Sequence, residues 1–239
     1  GLDTMRAGNI SAFAIEARKR GKIDFDIDYN QPDRMAELYR LVAHAEGVGA
    51  LFAEGIKSAS ESLGLEDIAV HVKGLEPAGF DPRVLKGMGL SYATAARGAC
   101  HLRGTFYKAE LSGQVDAGQI AGKAKLHIDY EDRAALFDSL VLCRFYRDFI
   151  GWEDLVLIYE AITGVKRDRE QLQSLSNHIT QQTREFNHRE GITSDGLPKR
   201  FLQEKTLEGN SLSEEDLQIM LDEYNQIRES AELKFVGGM

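Results

Sequence analysis

Apolar residues recur three and four positions apart along most of this 239-residue chain, a spacing that gathers them on one face of a helix and commits the chain to packed helices. In NISAFAIEARKRG, Ile10, Phe13, Ala14 and Ala17 share a face, Asn9 or Ser11 can cap the start, and Gly21 can close the end. Pro32 suits a first helical position, and Met35, Leu38, Leu41, Val42 and Ala45 extend a second stripe to Gly47. A third helix carries Leu51, Phe52, Ile56 and Leu63 to Gly64. The alternation of Ile68, Val70 and Val72 fits an extended crossing rather than a sheet, because a single strand has nothing to pair with. Helical spacing returns in DRAALFDSLVLCRFYRDF, WEDLVLIYEAIT and DREQLQSLSNHITQQTREFNHREG, and Ser213 with Asp216 caps a last helix. These stripes predict an all-α protein in two lobes, residues 1–72 and 73–239.

The charge balance narrows the partners. With 29 Lys and Arg against 38 Asp and Glu, a net charge of −9 repels nucleic acid and anionic membrane surfaces. No apolar run reaches membrane-spanning length and no signal segment opens the chain, so a cytoplasmic setting is expected. Two cysteines, Cys100 and Cys143, are too few for a disulfide scaffold.

The stretch from Lys73 to Gly104 is rich in Gly and Ala, which let helices or ligands come close to the backbone. It ends in RGACHLRG, where two guanidiniums, a thiol and an imidazole crowd together. His101 can give or take a proton near neutral pH, although a lone histidine is more often structural. Cys143, in an apolar stretch of helical spacing, fits a packing thiol as readily as a metal thiolate. Glu185 and His188 have the helical spacing of a carboxylate–histidine metal pair but no second copy, so they read as a solvated face.

Six segments in order, GLDTMRAGNISAFAIEA (1–17), AEGVGALFAEGIK (45–57), VKGLEPAGFDPR (72–83), GMGLSYATAARGACHLRG (87–104), DSLVLCRF (138–145) and FNHREGITSDGLPKRF (186–201), resemble the C-terminal part of the tungsten-dependent aldehyde ferredoxin oxidoreductase family. The resemblance implies a longer enzyme in which an N-terminal β-rich domain carries much of a tungsten or molybdenum bis-molybdopterin, and two helical domains close over it. This chain would be the later part of the middle domain and all of the last. GLDT would be the tail of an Asp-x-x-Gly-Leu-Asp pterin motif, and a CxxCxxxC group supplying three ligands of a [4Fe-4S] cluster would lie in a separate N-terminal domain or subunit.

On the same resemblance, Asp3 and Asp138 would accept hydrogen bonds from the two pterins with the backbones of Leu2 and Leu142 alongside, and Arg97, Gly98 and Arg103 would bind pterin or phosphate atoms. Guanidinium forks suit such planar edges. His101 would approach the tungsten and orient the aldehyde oxygen or handle a proton, and Cys143 would be the fourth cluster ligand, one helix touching both pterin and cluster. The implied reaction converts aldehyde and water to carboxylic acid, electrons leaving through the cluster to ferredoxin, with the 239 residues alone not competent. Carboxylate or aryl-thioester reduction, or a helical interaction module without cofactor, are the alternatives. Three features depart from the family pattern. Val141 replaces the glycine of Asp-x-x-Gly-Leu-Cys, which matters if that position needs a positive φ; His44 lacks a glutamate three residues before it; and the ending IRESAELKFVGGM is unusual. The last two leave homo-oligomerisation open.

Overall fold

Asp3, rather than Asn9 or Ser11, begins the first helix: its carboxylate accepts the Arg6 N–H at 2.9 Å, satisfying one of the donors that a helix start leaves free. The computed structural model describes residues 2–237, and the side chains of residues 2–231. Gly1 of GLDT and most side chains of the C-terminal ending therefore lie outside the described residues.

Helix α1 (Thr4–Lys19) is followed by α2 (Pro32–His44), α3 (Gly49–Phe52) and α4 (Ile56–Leu63). The single third helix expected over Leu51–Leu63 is two, because Gly55 adopts φ 93° between them, a value closed to most side chains. Ile10, Phe13, Ile15, Leu38, Phe52, Ile56, Leu65 and Ile68 form one buried apolar cluster from these helices and the turn after them. The crossing at 68–75 holds only an isolated bridge between Val72 and Leu75.

Helices α5 (Lys86–Thr94), α6 (Tyr107–Leu111), α7 (Lys123–Ser139), α8 (Trp152–Thr163), α9 (Arg169–Arg189), α10 (Lys199–Gln203) and α11 (Glu214–Gly237) complete the chain. Leu90, Ala93, Ala124, Met220 and Tyr224 bury α5, α7 and α11 against one another, while Leu136, Phe137, Trp152, Leu155 and Leu172 join α7 to α8 and α9. The architecture is all-α among the described residues, as the periodicity predicts. Ser213 Oγ accepts the Asp216 N–H at 3.0 Å, the cap expected at the start of α11.

Beneath these helices lies a buried charged network. Arg228 on α11 donates to Glu131 at 2.7 Å, to Asp132 at 2.5 Å and to the Asn177 side-chain oxygen on α9 at 2.8 Å, and the Tyr224 hydroxyl donates to Glu131 at 2.6 Å. Burial pushes both carboxyls up. For Glu131 the Arg228 charge and the hydrogen bonds outweigh burial and the carboxyl ends well below its usual range; for Asp132 burial wins. Arg228→Met leaves two buried carboxylates without their cation, and denaturant unfolding is expected to show a loss of about 3–5 kcal/mol.

Candidate functional site

The helical spacing of DRAALFDSLVLCRFYRDF stops short of what the pattern suggests. Helix α7 ends at Ser139, where the Val141 N–H reaches the Asp138 carbonyl at 3.1 Å and the Leu142 N–H the Phe137 carbonyl at 2.8 Å. This double bond pattern closes a helix when the residue in Val141's place adopts a left-handed conformation. Val141 has φ 57° and is 90% exposed. The position thus does need a positive φ, and its β-branched side chain opposes it. Cys143 follows in extended backbone (φ −70°, ψ 125°), exposed, neither on a helix nor a packing thiol. One helix therefore does not carry both Asp138 and Cys143; Asp138 is on its last turn and Cys143 lies beyond it.

Opposite this helix end, α5 runs into the turn that holds Arg97 to Arg103. Asn187 of α9 donates to the Ala96 carbonyl at 2.7 Å and pins the turn's entry. Gly98 has φ 104°, and a Cβ there would stand 2.3 Å from the Val72 carbonyl oxygen. Its glycine is thus required by backbone crowding at the Val72–Leu75 bridge, whatever it does toward a ligand. Thr105, also β-branched, has φ 43° just after Arg103, so strained residues sit on both segments of the site.

The sequence-derived residues converge on two adjoining hollows rather than one. A hollow of about 170 Å³ is lined by Asp3, Arg97, Cys100 and His101, with Arg6 and Glu76. A cleft of about 460 Å³ is lined by Arg97, Arg103 and Asp138, with Thr94, Glu131 and Asn187. Arg97 belongs to both, is exposed, and has no hydrogen-bond or ion-pair partner among the described residues. Leu142 and Cys143 line neither; Leu142 packs against the α7–α8–α9 cluster. Leu2 is exposed at the start of the chain.

His101 is half-buried, its ring 6.1 Å from Phe80 and 6.4 Å from Tyr107, which stack on each other. Burial, then the Arg97 and Arg147 charges, hold its pKa below the usual 6.5 against the opposing pull of Asp3. The imidazole is neutral at pH 7 and so able to accept a proton. Thr94, at the cleft, donates its one hydroxyl proton to the Leu90 carbonyl, so at 3.0 Å it accepts from Nε2–H of buried His127. Burial brings His127 down to about 4, and it too is neutral.

Asp138 is engaged by Arg103 and by Arg144, whose Nε and Nη2 reach its two oxygens at 2.9 and 2.6 Å. Glu76, fully buried, ties Arg6 of α1 (2.8 Å) to the Ile56 N–H at the start of α4 (2.8 Å). Arg6, Glu76 and Arg144 fall in the quoted segments, but sequence reasoning gave them no role, since only folding reveals their partners. Among the described residues no group of three or more His, Cys, Asp or Glu side chains is arranged to hold a metal ion, and no helix is long and apolar enough to cross a membrane.

The donor set suits a large polar heterocycle with an anionic tail: an unpaired guanidinium shared by two hollows, carboxylates beside it, and backbone exposed by small residues. For an iron–sulfur cluster it offers the one exposed thiol of Cys143. Fold and site together define an all-α protein, among its described residues, with two adjoining hollows that share Arg97.

The chain belongs to the aldehyde ferredoxin oxidoreductase family, whose model for domains 2 and 3 matches residues 1–232. It is 33% identical to a tungsten-containing aldehyde ferredoxin oxidoreductase of Pyrococcus furiosus over 95% of this chain and 40% of that protein, and 31% identical to its namesake in Thermococcus kodakarensis over the same shares. An aliphatic sulfonate oxidoreductase WOR-like subunit of Pyrococcus furiosus is 28% identical over 72% of the chain and 27% of that protein. The active-site complex BamBC of benzoyl coenzyme A reductase, with 1,5-dienoyl-CoA, shares the fold at TM-score 0.67 and 18% identity, covering 95% of this chain and 41% of that one. The chain thus spans about two fifths of the length of the tungsten-containing relatives it matches.

Because Val141 is almost fully exposed, Val141→Gly removes the left-handed strain at little packing cost, and thermal unfolding is expected to show a gain of about 1 kcal/mol.

Proposed function

We propose that this chain is the C-terminal portion of an aldehyde:ferredoxin oxidoreductase-type enzyme, residues 1–72 completing the middle helical domain and 73–239 forming the last. The observation that carries this reading is Arg97, unpaired and open to two hollows that between them hold Asp3, His101, Arg103 and Asp138.

In this reading, Asp3 and Asp138 accept from pterin N–H groups, and Arg97 and Arg103 donate to pterin or phosphate oxygens. Asp3 spends one oxygen on its helix cap and keeps the other for a ligand. Asp138 is shared with two arginines, so Arg103 turns from it toward an anionic tail while Arg144 stays. Cys143 supplies one thiolate to a [4Fe-4S] cluster whose other ligands come from an N-terminal domain or subunit. The tungsten or molybdenum bis-molybdopterin supplies the two-electron oxidation, and ferredoxin takes the electrons. His101, neutral at pH 7, takes the proton released as water adds to the aldehyde carbonyl, or orients that carbonyl's oxygen.

A second reading keeps the site and changes the substrate, on the strength of the relationship to the WOR-like subunit. The two separate in an anaerobically prepared complete protein given a panel of aldehydes and a viologen acceptor. Tungsten or molybdenum near one per chain, with iron and aldehyde-dependent viologen reduction, supports the first; metals without aldehyde turnover support the second; neither metal supports a helical interaction module.

His101→Ala in the complete enzyme is expected to lower kcat by about a hundredfold or more with tungsten content unchanged; an unaltered kcat removes it from the mechanism. Activity that needs the neutral imidazole is full above its depressed pKa and falls as pH drops through it. Arg97→Gln removes one cause of the depression, so in a pH–rate profile the acid limb moves to higher pH.

A further inference from the structure

Cys143 has little of its own to fix it. Its side chain is exposed, and among the described residues its backbone makes one hydrogen bond, its carbonyl accepting the Tyr146 N–H at 3.0 Å. Upstream, Leu142 is held by the helix closure and by packing. Downstream, Arg144 is held by an array that uses its whole guanidinium. Nε and Nη2 donate to the two Asp138 oxygens, Nη2 also reaches the Ala134 carbonyl at 3.3 Å, and Nη1 donates to the Leu102 carbonyl, the residue after His101. Only 18% of this side chain is exposed, although the pair it makes lies at the protein surface.

We propose that Arg144 is the positioning residue that fixes Cys143 relative to the His101–Arg103 turn and to Asp138, a role that rests on the reading of Cys143 as a cluster ligand. The reasoning is geometric. Three nitrogens in a rigid plane satisfy acceptors on two different segments, the end of α7 and the 97–103 turn, so a displacement of Arg144 beyond the reach of its side chain breaks bonds to both. Cys143, one residue away and bracketed by Leu142, inherits that fixed position. Two further links run parallel: Arg147 reaches the Tyr107 hydroxyl at 3.5 Å, and Lys108 pairs with Asp148. Neither touches Asp138, so among the described residues Arg144 is the one side chain that joins the thiol-bearing segment to both the imidazole-bearing turn and the pterin-facing carboxylate. An ammonium can meet one or two of these acceptors but not all in plane, so charge alone does not reproduce the lock.

The test uses the complete, anaerobically purified enzyme with Arg144→Lys, Arg144→Gln and Cys143→Ala. Iron released to a chelator over time and the EPR line shape of the reduced cluster are read beside tungsten content and circular dichroism. Both Arg144 variants are expected to keep fold and tungsten, to release iron about tenfold faster, and to show an altered line shape, with lysine giving no rescue. Wild-type iron retention and line shape in Arg144→Lys overturn the proposal, because charge would then suffice, and the same result in both variants overturns it outright. If Arg144→Gln is recovered unfolded, the lysine variant carries the comparison. Wild-type iron content in Cys143→Ala instead defeats the cluster reading on which the proposal stands, independently of what Arg144 does.

Discussion

Arg228 on α11 holds together the part of the molecule that presents the site. Its guanidinium is buried between adjacent carboxylates of α7 and a side-chain amide of α9, so directional bonds add to apolar packing in holding these three helices in register. Helix α7 carries Glu131 to the floor of the larger cleft and Asp138 to its rim, and α9 supplies Asn187, which pins the carbonyl preceding Arg97. A buried cation paired with buried carboxyls adds little net stability over an apolar core of the same volume. It does fix which residues of α7 and α11 face each other, and the placement of Asp138 follows from that.

At the rim the logic changes from burial to convergence. The larger cleft is bordered by two chain segments, the turn after α5 and the closure after α7, which are nearly forty residues apart in sequence and are joined at Asp138. Each contains a β-branched residue with positive φ, Thr105 in one and Val141 in the other. Both segments hold conformations their side chains resist, a pattern common where a backbone must meet a ligand and surrounding contacts impose the shape. The outward face beyond them carries Phe145 and Phe149, each about four-fifths exposed.

Much of the fold was legible from spacing alone. The stripes of α1, α2, α7 and α9, Pro32 at its helix start, the Gly21 and Gly64 ends and the Ser213 cap all rest on interactions within a few residues, which local sequence encodes. The misreadings have a common cause. Asn9 and Ser11 have side chains that can cap, but the helix already begins at Asp3, which carries the cap. Gly55 splits a stripe whose apolar spacing continues across it, and the apolar run from Leu140 to Phe145 keeps helical spacing after the helix has ended. Periodicity reports which residues are apolar, not where the backbone turns.

The sequence by itself determined an all-α chain, a net negative charge, and, through six ordered segments, membership of a family together with the residue types its site would use. Tertiary structure decided which of those residues meet: that Arg97, without a partner among the described residues, borders two hollows, that Asp138 is clasped by Arg103 and Arg144, and that Cys143 lies beyond α7, exposed. The physical reason is range. Helix formation and capping act over three or four residues, whereas Arg103 meets Asp138 35 positions on, Arg144 meets the Leu102 carbonyl 42 positions back and Arg228 meets Glu131 97 positions back, and no local pattern records which partner a buried or bridging charge will find.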